Sequence, residues 1–233
     1  KTASIIALSG ATSGWRDASA SKTWDIELCD LTLKQTDATK IILLDTASPT
    51  TPPTWTLRDA AIGDETVGSS YATYLQAATL NIIRSDVLQI ADSGKYALWC
   101  SGTATIKARS SRIYGGRNQQ QSGAQIELRH CEVDKFANTG ILITSGSTVL
   151  PYIANAIIGA NSGQTPINNA SALTIDGSAL VNTVVVKAAV GVTGPILAPL
   201  DRDPVTLTPF AWSNLGGVAA GVFIYDACEG PGV

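Results

Sequence analysis

The residues best suited to chemistry lie in one charged stretch between positions 109 and 134. It holds Arg109, Glu127, Arg129, Glu132 and Asp134, at positions expected to face outward from strands. Two carboxylates held ~5–9.5 Å apart can perform glycoside hydrolysis, one as a general acid and the other as a base or nucleophile. The competing interpretation is an ordinary ion-paired β face, because opposite charges on neighbouring strands also stabilise a sheet.

Four tyrosines could serve binding rather than catalysis. Tyr71, Tyr74, Tyr114 and Tyr152 lie in or near segments expected to be loops, where their rings could stack against sugar rings. Each ring taken alone could equally be packed in part against the body of the protein. Polar insertions of this kind commonly build the binding face of a repeat protein. The insertions run from 45 to 54, from 63 to 74 and from 114 to 125.

The composition excludes several classes of protein. Of the 233 residues, 45% are hydrophobic and only 15% are charged, and the net charge is −3. A nucleic-acid binder needs a basic surface, and a disordered tail needs more charge than this. No apolar run reaches the ~18 residues that a membrane-spanning helix requires. We therefore expect no nucleic-acid partner and no insertion into a membrane.

The cysteines and the single histidine indicate no metal or cofactor. Cys29, Cys100, Cys131 and Cys228 are scattered, without the close spacing of a zinc site, and we expect free thiols with no favoured disulfide pairing. His130 beside Cys131 suggests a nucleophile pair, but adjacent residues on a strand or bend point in different directions. No phosphate-binding loop or nucleophile-elbow motif occurs.

An internal repeat supplies the elements that must position these residues. Its template is an apolar residue, one residue of any type, a second apolar residue, four more residues and a third apolar residue. The copies are Ile26/Leu28/Leu33, Trp55/Leu57/Ile62, Leu80/Ile82/Val87, Ile106/Ala108/Ile113, Ile126/Leu128/Val133, Leu173/Ile175/Leu180 and a weaker Pro151/Ile153/Ile158. The first two apolar residues alternate as in a strand with one buried face, and the gap predicts a bend before a second strand.

Two positions inside the gap support this bend. The second position holds mostly turn-forming residues, and the third is small in six of the seven copies, which predicts a tight inward corner. The second-position residues are Asp30, Asp59, Arg84, Ser110, His130, Asn155 and Gly177. A strand-bend-strand unit that recurs every 20–29 residues is typical of a solenoid with stacked coils.

The repeat units resemble the coils of right-handed parallel β-helix proteins, the pectin-lyase-like superfamily. Residues 105–113 and 125–133 carry the likeness, which covers roughly residues 24–186. It implies an all-β fold, a right-handed parallel β-helix solenoid of about seven coils, followed here by a Pro-rich tail that contains aromatic residues. We expect residues 1–23 to form an N-terminal cap or lead-in and residues 187–233 a C-terminal cap or subunit-contact tail.

Functions of different classes remain open at this point. The resemblance implies a structural or binding module, as in phage tail spikes and virion surface proteins, or a secreted polysaccharide lyase or glycoside hydrolase. In an enzyme, Glu127 and Glu132 would be the carboxylate pair, or Arg109 or Arg129 would abstract a sugar C5 proton. An adhesin-like cell-surface protein is a third alternative.

The low charge and the apolar tail favour the module. We expect a homo-oligomer, with a trimer favoured by the resemblance, at an extracellular or virion-surface location. Its partners would be other virion proteins or a surface glycan.

Overall fold

The protein is an all-β solenoid in the part of the chain that the structure describes. The computed structural model describes residues 4–8, 13–17, 25–35, 41–45, 52–67, 70–159, 164–175, 179–181, 183–186, 192–193 and 223–224. Twenty-four β-strands, numbered in chain order, are the regular elements of these ranges, and no helix occurs within them. They form three sheets, which we call A, B and C.

Sheet A contains β1 (Ser4–Leu8), β4 (Leu31–Gln35), β7 (Ala61–Gly63), β10 (Asp86–Leu88), β13 (Arg112–Tyr114), β16 (Glu132–Asp134), β19 (Ile157–Ile158), β22 (Val184–Val186) and β24 (Phe223–Ile224). Sheet B contains β2 (Ser13–Asp17), β5 (Ile41–Asp45), β8 (Tyr71–Tyr74), β11 (Tyr96–Cys100), β14 (Arg117–Gln120), β17 (Thr139–Ile143), β20 (Thr165–Asn169) and β23 (Val192–Thr193). Sheet C contains β3 (Ile26–Cys29), β6 (Thr54–Arg58), β9 (Thr79–Ile83), β12 (Thr105–Arg109), β15 (Gln125–Arg129), β18 (Tyr152–Ala154) and β21 (Leu180–Val181).

Each coil passes from sheet C through a bend into sheet A and then into sheet B. Successive coils pair strand on strand in parallel, and only β24 runs antiparallel, against β22. The turns from β6 to β20 are described through all three strands, which makes about five complete turns rather than the seven that the motif predicts. The parallel solenoid itself is confirmed.

The bend between sheets C and A is confirmed in detail. Its second gap residue adopts a left-handed backbone in six successive coils, with φ between 47° and 53°. These residues are Asp30, Asp59, Arg84, Ser110, His130 and Asn155. A left-handed residue costs little for Asp and Asn but ~1–2 kcal/mol for most other side chains, so the stacked coils must hold this geometry in place.

The small residues of the corner do more than save space. The Ser111 hydroxyl donates to the Arg109 carbonyl at 2.8 Å and accepts the backbone N–H of Ser85 at 3.1 Å. The Ser85 hydroxyl repeats this arrangement with the Ile83 carbonyl and the Ala60 N–H, at 2.8 and 3.1 Å. Buried hydroxyls thus link one coil to the next at the corner, which we call the corner ladder.

The last copy of the motif is wrong in register. The structure pairs Leu180 with Ile153 and Val185 with Ile158, so the copy comprises Leu180 and Val185 rather than Leu173/Ile175/Leu180. Thr183 then occupies the corner position and donates its hydroxyl to the Ile153 carbonyl at 3.1 Å. Gly177 and Ser178, which the motif placed in the bend, lie outside the described residues.

Sheet B was missed, because the repeat template ends at sheet A. The insertions at 63–74 and 114–125 contain the strands β8 and β14, so they are only partly loops. Their interior positions include polar side chains that apolar periodicity cannot detect. Asn118 donates to the Gly140 carbonyl at 2.9 Å, and Gln120 donates to the Val149 carbonyl at 2.6 Å and accepts the Ile126 N–H at 3.1 Å. Most of the insertion at 45–54 lies outside the described residues.

The apolar core runs along the inside of the prism. The inward residues of sheets C and A form continuous ladders of aliphatic side chains, and Ile126, Leu128 and Val133 are fully buried in one coil. Near the N-terminus, β1 and β2 pair in parallel with β4 and β5. Apart from β23 and β24, the expected tail at 187–233 lies outside the described residues, so the predicted three-part division stays a prediction.

Candidate functional site on the outer faces of the solenoid

The predicted charged residues of sheet C lie side by side on its outer face. Arg109 and Arg129 occupy the same position of β12 and β15, as the repeat predicts. Glu127 lies 3.8 Å from the Lys107 ammonium, one strand away. Glu127 therefore has a cation beside it, while Arg109 and Arg129 are neighbours in the strand ladder.

Arg129 is held against an aromatic ring. Its guanidinium carbon lies 4.6 Å from the centre of the Tyr152 ring, a distance at which a cation is attracted to the ring face. Its Nε atom is buried and has no hydrogen-bond partner. A permanently charged guanidinium in this setting is suited to binding more than to accepting a proton.

Glu132 and Asp134 lie on the outer face of sheet A, beyond the bend. Burial, together with a hydrogen bond to Glu132, raises the pKa of Tyr114 to about 12, so this phenol stays protonated and donates to the carboxylate. Asp134 accepts the backbone N–H of Lys135 at 2.7 Å. The Lys135 ammonium lies 4.7 Å from the Tyr114 ring and pairs with Glu65 at 3.2 Å.

The predicted catalytic residues therefore lie on two faces. Glu127 and Arg129 are on sheet C and Glu132 is on sheet A, and their catalytic role stays a prediction. An open groove of about 420 Å³ follows the corner between them. Its lining is Ser110, Ser111, Arg112, His130, Cys131, Glu132, Asn155 and Ile157.

The groove does not bring His130 and Cys131 together as a reactive pair. His130 is exposed, whereas Cys131 is buried and its thiol lies 3.3 Å from the Arg129 carbonyl. Burial also raises the pKa of the Cys131 thiol, which disfavours the thiolate that a nucleophile needs. The expectation that the two side chains diverge is confirmed.

Most charges on sheets A and C are paired along the solenoid axis. Arg84 and Arg112 each present two nitrogens to a carboxylate of the preceding coil, Asp59 and Asp86 respectively. The ion pairs of the described residues are Lys34–Asp64, Arg58–Glu27, Arg84–Asp59, Lys107–Glu127, Arg112–Asp86 and Lys135–Glu65. Exposed pairs of this type contribute ~0–1 kcal/mol each, and they favour the native register of neighbouring coils.

The outer side of sheet B differs, because it carries an aromatic cluster of four rings in which Tyr71, Tyr74 and Tyr96 are partly exposed and Trp99 is buried. Tyr71 stacks on Tyr96 with ring centres 4.9 Å apart, and Tyr74 stacks on Trp99 at 4.0 Å. The two stacks meet edge to face, with Tyr71 and Tyr74 at 5.0 Å. A register shift between Tyr96 and Leu98, opposite β14, lets rings three residues apart share one face. Burial and the neighbouring phenols raise the pKa of Tyr71.

Polar groups border this aromatic cluster on β14. The Arg117 guanidinium lies 5.7 Å from the centre of the Tyr96 ring, and its Nε atom is buried without a hydrogen-bond partner. Gln119 pairs with Trp99 in the ladder and lies 3.4 Å from the Gln121 side chain. Rings, amides and one cation thus share a single outer face.

The four predicted tyrosines do not form one surface. Tyr71 and Tyr74 lie together on sheet B, whereas Tyr114 is on sheet A and Tyr152 on sheet C, and all four belong to strands rather than loops. Sequence reasoning missed Tyr96 and Trp99. A signal was present, because residues 71–74 and 96–99 both read aromatic-Ala-any-aromatic.

Three further features bear on chemistry. Among the residues that the structure describes, no group of three His, Cys, Asp or Glu side chains is arranged to hold a metal ion. Within the same part of the chain, no helix has the length and apolar character to cross a membrane. Cys29, Cys100 and Cys131 are free thiols.

Comparisons with models of protein families, with curated proteins and with solved structures each gave no match. The coarse likeness to parallel β-helix proteins therefore rests on the solenoid architecture of this chain alone.

Proposed function

We propose that the protein is a structural and binding module that recognises a surface glycan through the aromatic cluster of sheet B. The observation that carries this proposal is the grouping of Tyr71, Tyr74, Tyr96 and Trp99 beside Arg117. The module would act as a homo-oligomer, a trimer in the favoured arrangement, in a virion or at a similar extracellular surface.

The chemistry of this face matches that of a sugar. A pyranose has apolar C–H patches and a rim of hydroxyl groups, so it needs aromatic surface next to hydrogen-bonding groups. Tyrosine and tryptophan suit such surfaces because each has an apolar body and a polar end. Gln121 supplies a partly exposed amide next to the buried Gln119, which is the ladder neighbour of Trp99. Among the described residues, no hydrogen bond or ion pair ties Arg117 to a carboxylate, which favours a sugar that carries an acidic group.

The strands also make this surface rigid before a ligand arrives. β11 pairs with β8 on one side and with β14 on the other, and Arg117 is packed over a ring. A preorganised site loses little conformational freedom on binding, so modest contacts suffice for useful affinity.

The alternative function is a polysaccharide lyase or hydrolase that acts through Arg109, Glu127, Arg129 and Glu132. Glu127 lies beside Lys107, and Glu132 lies beyond the bend on another sheet. These placements favour binding over a carboxylate pair that converges on one bond.

Binding of the intact chain to a panel of neutral and acidic oligosaccharides tests the proposal. Calorimetry on the best-bound glycan should then show that Arg117→Ala or Tyr96→Leu weakens affinity by about three- to tenfold or more. Arg58→Ala on sheet C is the matched control and should bind like the wild type, because Arg58 pairs with Glu27 and belongs to none of the proposed sites. Folding of every variant is checked by circular dichroism.

Two outcomes would contradict the proposal. One is equal affinity of the sheet B variants and the wild type, and the other is no binding to any glycan of the panel. Release of reducing ends or unsaturated products from a bound polysaccharide, abolished in Glu127→Gln, would support the enzyme instead.

A further inference from the structure

The two unpaired arginines of sheet C stand out against the ion pairs around them. Six cations of the described residues have a carboxylate partner within 4 Å, but Arg109 and Arg129 have none there. They occupy directly opposite positions of β12 and β15. Like charges placed opposite each other destabilise a sheet, so this pair is unfavourable in an isolated chain.

Sheet A carries acidic side chains without an ion-pair partner, in contrast to the unpaired arginines of sheet C. Arg112 is engaged by Asp86, and Lys135 by Glu65, which leaves Glu132 and Asp134 without an ion-pair partner among the described residues. Glu132 accepts a hydrogen bond from a neutral phenol, and Asp134 accepts one from a backbone amide. No cation of the described residues lies within ion-pair distance of either carboxylate, although Arg112 is the ladder neighbour of Glu132.

The arginine pair of sheet C and the two carboxylates of sheet A lie at nearly the same height along the solenoid. β15 and β16 belong to one coil, and β12 and β13 to the preceding coil. In a ring of parallel copies whose symmetry axis follows the solenoid axis, every coil keeps the same height in every copy. Sheet C of one copy can then face sheet A of the next with Arg109 and Arg129 opposite Glu132 and Asp134.

An apolar contact lies beside the acidic residues. Ile157 pairs with Glu132 in the ladder and is 52% exposed, and it lines the corner groove. A partner side chain in that groove would cover it. Burial of an exposed isoleucine supplies association energy, while the charges fix register and orientation.

We propose that copies of this chain associate side by side through a head-to-tail contact between sheet C and sheet A. The arginine pair of one copy meets Glu132 and Asp134 of the next, and repetition of the contact closes a ring. This inference rests on the homo-oligomer of the proposed function and identifies its interface, which lies away from the glycan face on sheet B.

Charge reversal with light scattering on a sizing column tests the contact. The double variant Arg109→Glu/Arg129→Glu should raise the concentration at which the assembly dissociates by at least about tenfold, and Glu132→Arg/Asp134→Arg should do the same. The quadruple variant restores opposite charges across the contact and should restore the wild-type mass. Arg117→Glu, a reversal on sheet B, should leave the mass unchanged.

The outcomes separate this contact from the oligomer itself. A wild-type protein that is a monomer would overturn both the homo-oligomer and the contact. If Arg109 and Arg129 of that monomer bound inorganic sulfate, the arginine pair would be assigned to an anionic ligand in place of a second copy. An oligomer that keeps its mass in both double variants would overturn the contact alone. So would a folded quadruple variant that stays dissociated.

Discussion

Two regions of the solenoid are stacked by different interactions. One is the corner between sheets C and A, and the other is the set of strands in sheet B. At the corner, six coils share one left-handed backbone conformation, and buried hydroxyls join several of them. Sheet B has a register shift, inward amides and an outward aromatic cluster confined to β8 and β11. Uniform backbone geometry at the corner maintains the stack, and sheet B is left free to vary from coil to coil.

The difference shows which part of a solenoid can differ from one coil to the next. A repeated corner tolerates few changes of size, because each residue faces its equivalents in the coils above and below. A strand of sheet B whose buried polar side chains form hydrogen bonds with nearby backbone groups does not need the same residue types in every coil. We therefore propose that binding uses sheet B, whereas the corner maintains the stacking of the coils.

The largest expected effect comes from Gly115→Ala, at the exit from sheet A toward sheet B. Gly115 has φ of +71°, and a Cβ there would lie 1.6 Å from the Gln89 carbonyl oxygen. Left-handed strain and backbone displacement together should cost about 3 kcal/mol or more of unfolding free energy. Urea denaturation followed by circular dichroism measures this loss.

His130→Gly is the matched change at the corner. His130 is also left-handed, with φ of 53°, but its side chain is exposed. Glycine relieves backbone strain and adds unfolded-state entropy, so stability should stay within about 1 kcal/mol of the wild type. A loss as large as that of Gly115→Ala would show that the corner needs the side chain and not only the backbone.

A smaller effect is expected from Gln120→Leu inside sheet B. The Gln120 side chain is fully buried and bonds to the Ile126 N–H and the Val149 carbonyl. Leucine would leave both backbone groups unpaired, at a cost of about 2–3 kcal/mol. The adjacent Gln119→Leu is the control, because its amide contacts only another side chain. Equal denaturation midpoints for the two variants would argue against a polar interior that stabilises this sheet.

A smaller loss than that of Gln120→Leu is expected from Ser111→Ala in the corner ladder. Removal of the hydroxyl leaves the buried Ser85 N–H without its acceptor but creates little empty space. The expected cost is about 1–2 kcal/mol, and alanine is already the natural residue at the equivalent Ala60 and Ala156. Thermal unfolding would contradict this account if Ser111→Ala were as stable as the wild type.

The sequence predicted the parts of the fold that obey a period. Leu57, Ile82 and Leu128 recur at one position of sheet C, so the strands and the bend could be predicted from spacing. Sheet B has no such period: YATY, YALWC, RNQQ and TGILI share no apolar pattern. Its strands form because neighbouring coils hold them there, and a window of local sequence does not contain that information.

The candidate site was predicted in part for the same reason. The adjacency of Arg109 and Arg129 and the alternation of Asp86, Arg112 and Glu132 follow from the period, and the paired strands confirm both. The meeting of Tyr71 with Tyr96 depends on the register of sheet B. The bend predicted from spacing already separates Glu127 from Glu132, and the structure places them on sheets C and A.

The corner ladder also gives the solenoid a polarity. The Ala60 and Ser85 amides both donate forward, to hydroxyls of the following coil. If the stack ended directly after the coil of Ala60 or that of Ser85, the amide of that residue would be a buried donor with no acceptor. If a coil were removed from the N-terminal side, the exposed hydroxyl could turn to water at little cost. Within the three coils that contain Ala60, Ser85 and Ser111, each corner therefore depends more on the coil that follows it than on the coil that precedes it.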